Sequence, residues 1–87
     1  MFIIVSYDVH TDRTEIFKKI CQLYLIHIQN SVFRGNLNKS QIMELEYLLK
    51  KSLKTDEIVY VWKIMDSQIF QELKFGEQKY KSDNFLE

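Results

Sequence analysis

The sequence has 87 residues, and its 12 Lys and Arg are balanced by 12 Asp and Glu, a formal net charge of zero that excludes a chain holding nucleic acid by bulk charge alone. That length suits one domain with a thin core. A content of 46% hydrophobic and 14% aromatic residues is more than such a core can cover, so a partner or second copy is expected against part of the surface.

Residues 2–7 form an almost unbroken apolar run rich in β-branched residues, which predicts a strand buried on both faces and ended by the polar Asp8, His10 and Thr11. Without a basic segment before it the run is expected to be a strand and not a secretion signal, and no apolar stretch approaches the roughly 20 residues of a membrane span. The single Cys21 cannot form an internal disulfide, which suits a reducing compartment; the expected location is cytoplasmic. From about Asp12, the residues Ile16, Phe17, Ile20, Cys21, Leu23 and Tyr24 recur at helical spacing, with Thr11 or Asp12 expected as the N-cap. The period then changes. Ile26, Ile28 and Val32 alternate with polar neighbours, predicting a strand or bent strand pair with a bulge or bend near Gln29 and Asn30 and a closing turn at residues 33–36.

A second helix is expected from residues 38–40, where Asn38 and Gln41 offer a capping box and Ile42, Leu45, Leu48, Leu49 and Leu53 form the apolar stripe. Val, Tyr and Trp content predicts a strand over residues 58–64, and a further strand over 69–75 precedes Gly76 and a polar tail. Without repeats or linker composition the chain reads as one domain, a core over residues 1–66 followed by a C-terminal strand and tail over 67–87. The β-α-β-β-α-β order fits an α+β, ferredoxin-like fold, with two helices on one face of an antiparallel sheet.

Among residues that carry chemistry, Asp8 stands out as a carboxylate at the carboxyl end of a hydrophobic strand, where side chains reach a cleft; the plainer reading is a strand terminator or turn cap. One carboxylate is too few for a metal site. A twofold axis that sets two copies of Asp8 opposite each other supplies a second one for a divalent cation. His10 and His27 lack metal-ligand spacing, Cys21 reads as a core thiol, and the two glycines, Gly35 and Gly76, belong to no phosphate loop. Tyr60 and Trp62 have the rings to stack on bases, although alternating aromatics on a strand read more simply as packing.

The residues 3–9, Ile-Ile-Val-Ser-Tyr-Asp-Val, and 28–37, Ile-Gln-Asn-Ser-Val-Phe-Arg-Gly-Asn-Leu, followed by a helix opening with Gln41, resemble the CRISPR-associated Cas-two family. The resemblance implies a ferredoxin-like homodimer in which the strand after Ile64 crosses to extend the partner's sheet. It implies complex formation with the Cas-one integrase, with the dimer bracing double-stranded DNA at the centre. It also implies a metal-dependent endonuclease acting on RNA or double-stranded DNA, with Asp8 binding Mg²⁺ and Tyr7, Ser31 and Phe33 beside it. His27 and Asn30 depart from the family, many of whose members carry Arg or Lys and an aromatic there, which weakens a phosphate contact at this point. Lys18, Lys19 and Arg34 are the candidate nucleic-acid contacts. A toxin-like ribonuclease or a small regulatory ferredoxin-like domain is the alternative, and it leaves residues 29–37 unexplained.

Overall fold

A computed structural model describes residues 1–77; the tail beyond, whose residues Lys81, Ser82, Asp83, Asn84, Phe85 and Leu86 also resemble the ending of some members of that family, lies outside the described residues. The elements run β1 (Phe2–Asp8), a 3-10 turn (Thr11–Arg13), α1 (Thr14–Gln22), β2 (Ile26–Gln29), β3 (Val32–Asn36), α2 (Lys39–Ser52), β4 (Ile58–Met65) and β5 (Gln68–Gly76). All pairings are antiparallel and the sheet order is β2-β3-β1-β4-β5, the ferredoxin-like arrangement with β5 added beyond β4.

Alternation along β1 sorts the sheet into two unlike faces. Ile3, Val5 and Tyr7 are buried together with Phe33 of β3 and Val59 and Val61 of β4, under Phe17 and Cys21 of α1 and Ile42, Leu45 and Leu49 of α2. The intervening Phe2, Ile4 and Ser6, with Tyr60, Trp62 and Ile64, are only half-buried. β1 is therefore buried on one face, not two. Both helices pack on the same side, and among the described residues no second layer covers the other.

α1 starts later than expected. Neither Thr11 nor Asp12 caps it; Arg13 occupies the N-cap position without a side-chain cap bond, since a guanidinium carries donors only, and its donors go to Glu57. α2 has the expected capping box: the Asn38 side chain accepts from the Gln41 amide at 2.8 Å, and the Asn38 amide donates to the Gln41 side chain at 2.9 Å. Residues 33–36 are not a turn but most of β3. The turn sits at Asn30 and Ser31, with Asn30 at φ 39°, and the register shifts between His27 and Gln29. Gly35 serves close packing instead, since a Cβ there would lie 3.0 Å from the Leu25 side chain and 3.3 Å from the Tyr24 carbonyl oxygen.

β5 is present and longer than expected, and within the single chain it pairs antiparallel with β4. The reason is local: Asp66 (φ 54°) and Ser67 (φ 65°) form a two-residue reversal of the type that matches strand twist. Both residues sit in the left-handed region without being glycine, which is sterically unfavourable. Ser67→Gly should raise stability by about 0.5–1 kcal/mol, read as a higher urea midpoint at unchanged slope.

Glu57 ties the helices to the sheet. Its carboxylate is fully buried and accepts four hydrogen bonds: from Arg13 Nε at 2.8 Å, Arg13 Nη2 at 3.1 Å, the His10 amide at 3.2 Å and the Lys54 amide at 3.0 Å. Arg13 Nη2 also donates to the Ser52 carbonyl at the end of α2. Burial alone would raise the Glu57 carboxyl, but the hydrogen bonds from Arg13, Lys54 and His10 hold it below its ordinary 4.5. A depressed folded-state value contributes stability above pH 4.5 that is lost as pH falls below it. Glu57→Gln should lower stability by about 3 kcal/mol at neutral pH, because an amide accepts through one oxygen only and leaves Arg13 uncompensated. In urea unfolding, the gap between the variant and wild type should narrow as the pH falls below 4.5.

Candidate functional site

Asp8 is the last residue of β1, exposed and on the side away from the helices. It pairs with Ile58 of β4, and Ile58 pairs with Gly76 of β5, so one rung runs across the ends of three strands. Beside it a cleft of about 380 Å³ is lined by Tyr7, Asp8, Val9, Thr14, Asn30 and Ser31. The cleft is closed on one side by the β2–β3 turn, where the Ser31 carbonyl accepts from the Tyr7 amide at 3.3 Å. His27 Nε2 lies 2.5 Å from the Asn30 carbonyl and fixes the same turn.

The residues expected beside Asp8 separate by role. Ser31 lines the cleft with Asp8. Tyr7 also reaches it, but its ring lies in the core with centroids 5.6 Å from Phe17 and 5.9 Å from Phe33. Burial, with Cys21 and Glu15 nearby, pushes the Tyr7 hydroxyl up to about 12, so at neutral pH it remains protonated and cannot serve as a base. Phe33 is completely buried, stacked on His27 at 4.5 Å, and supports the turn from within rather than facing the cleft. Burial likewise pushes the Cys21 thiol up to about 12, in keeping with its reading as a core thiol.

The three candidate nucleic-acid contacts are not brought together. Lys18 and Lys19 belong to α1 in the helix layer, while exposed Arg34, opposite Ile4 and Ile26 in the sheet, projects from the uncovered face. Among the described residues no three His, Cys, Asp or Glu side chains cluster as a metal site. The Asp8 carboxylate is the right kind of donor for a hard cation such as Mg²⁺, and one chain supplies half of what a pair of carboxylates would give. Sequence reasoning missed Glu57 as a determinant of this region. The one local signal is an acidic residue directly abutting the apolar run of β4; its partner Arg13 is 44 positions away.

The family model for CRISPR associated protein Cas2 matches residues 1–72. The CRISPR-associated endoribonuclease Cas2 of Fusobacterium nucleatum is 35% identical over 92 aligned residues, covering 99% of this chain and 87% of that protein. The protein of the same name from Thermotoga maritima is 31% identical, with 99% of each chain covered. A crystal structure of Cas2 superposes with a TM-score of 0.69 at 36% identity, covering 93% of this chain and 92% of the other. The Streptococcus pyogenes Cas2 structure, at 22% identity and a TM-score of 0.67, shares the fold. A model match over five-sixths of the sequence and a relative aligned along nearly its whole length lead to one assignment: the chain belongs to the CRISPR-associated Cas2 family.

Proposed function

We propose that the chain acts as a homodimer whose two Asp8 carboxylates face each other across a twofold axis and hold Mg²⁺ for hydrolysis of phosphodiesters in RNA or double-stranded DNA. The observation that carries this reading is the position of Asp8, at the strand end on the uncovered, largely apolar face of the sheet. Packing that face on a second copy would cover Phe2, Ile4, Tyr60, Trp62 and Ile64, and an isologous contact places like residues opposite each other. The curated relatives are named endoribonucleases.

Mg²⁺ bound there supplies a polarised water and charge compensation at the cleaved phosphate. The Asp8 side chains would anchor that site, the polar groups of Asn30 and Ser31 would orient the backbone of the nucleic acid in the cleft, and the sheet interface would keep bulk water from one side. A second role, bracing double-stranded DNA in a complex with the Cas-one integrase, is favoured by the dispersal of the basic residues: with zero net charge and Lys18 and Lys19 separated from Arg34, the dimer needs a partner to hold DNA firmly.

Trp62→Glu would place a charge in the middle of the proposed interface, next to the Tyr60 ring stacked on it at 5.5 Å. Sedimentation should show a dimer for the wild type and a monomer for the variant; a dimer for both would remove the sheet face as the interface. Asp8→Asn keeps the shape and removes the charge. Cleavage of RNA and duplex DNA in Mg²⁺ should fall at least about a hundredfold, while DNA retention with the integrase persists. Equal cleavage by both proteins would sink the nuclease assignment.

A further inference from the structure

Glu57 lies one residue before Ile58, the residue paired with Asp8, and it touches both neighbours of that rung. On one side, its carboxylate binds the amide of His10, two residues after Asp8, and the guanidinium of Arg13, so the whole connection from β1 to α1 is pinned from inside the fold. On the other side, its backbone abuts β5. A Cβ at Gly76 would stand 2.1 Å from the Glu57 carbonyl oxygen, and Gly76 is held at φ 91°, a conformation that L side chains rarely adopt. The end of β5 can therefore seat only as glycine, directly against the residue that holds the Asp8 connection. The clamp is built for a carboxylate, since four N–H groups converge on its two oxygens and none of them can accept.

We propose that Glu57 is the positioning residue of the Asp8 site, coupling the seating of the C-terminal strand at Gly76 to the geometry of Asp8 through Arg13 and the His10 amide. The functional part of this claim rests on the reading of Asp8 as a metal-binding carboxylate. Its structural part does not. Loosening either contact of Glu57 releases the connection that follows Asp8, and a carboxylate held less firmly binds a cation less well.

The test measures amide hydrogen exchange residue by residue, together with Mn²⁺ binding by electron paramagnetic resonance, on the full chain as wild type, Glu57→Gln, Arg13→Lys and Gly76→Ala. Lys63→Met serves as reference, because it breaks a buried-edge ion pair with Glu46 (3.1 Å) on the rung of Ile3, at the other end of β1. Relative to that reference, Glu57→Gln and Gly76→Ala should speed exchange at residues 9–13 and weaken Mn²⁺ binding, each by about tenfold, with Arg13→Lys showing a smaller change of the same kind. Exchange at residues 9–13, or an Mn²⁺ affinity, indistinguishable from that of Lys63→Met would overturn the proposal. If Gly76→Ala does not fold, Glu57→Gln and Arg13→Lys decide it. A wild type that binds no Mn²⁺ would remove the metal reading of Asp8 alone, and exchange at residues 9–13 would then settle whether Glu57 positions the connection.

Discussion

Two helices packed on a single face of the sheet set the terms for everything else in this chain. Because side chains alternate along a strand, the apolar residues of β1 divide between Ile3, Val5 and Tyr7 beneath the helices and Phe2 and Ile4 on the other side. Among the described residues no further element lies over that second side. The uncovered face is thus a direct outcome of topology, and the carboxylate that ends β1 falls on it by parity: the residue after Tyr7 must point away from the core. A one-residue slip of β1 would bury Asp8 and expose Val5, so the hydrophobic pattern that fixes the register also fixes where the carboxylate stands.

Short-range signals were the legible ones. The Asn38 and Gln41 capping box, the apolar stripe of α2 and the β-branched runs of β1 and β4 each encode their element within a few residues, and each is present. The ends of α1 and β3 were misread because long-range contacts decide them. Arg13, at the start of the helix, is held there by Glu57, and Gly35, which reads as a turn residue, is small so that Leu25 can pass over it. The reversal at Asp66 and Ser67 lacked the glycine that would have announced a tight hairpin, so the path of β5 was not readable from composition. The site residues Asp8 and Ser31 are legible from a strand end and a family-like segment, whereas the buried partner that holds their surroundings, Glu57, lies far away in sequence and carries no motif of its own.

The contrast between the two ends of β1 is instructive. Near Phe2 the strand is flanked by simple apolar packing and a peripheral Lys63–Glu46 pair, in which both side chains retain some exposure. Near Asp8 the fold instead invests in a fully buried carboxylate with a complete set of donors, a type of interaction whose value lies more in fixing geometry than in net stability. Burying charge where apolar packing would serve is understandable at a place where the chain must leave the sheet at a set angle.

Cys21 has a practical consequence. Its thiol is fully buried in the α1 face of the core and remains protonated far above neutral pH, so the thiolate that reacts with alkylating reagents is essentially absent from the folded protein. It is also the chain's one sulfhydryl group. Its rate of chemical labelling therefore acts as a clock for how often α1 lifts from the sheet, obtainable from the unmodified protein by mass alone and without any engineered probe.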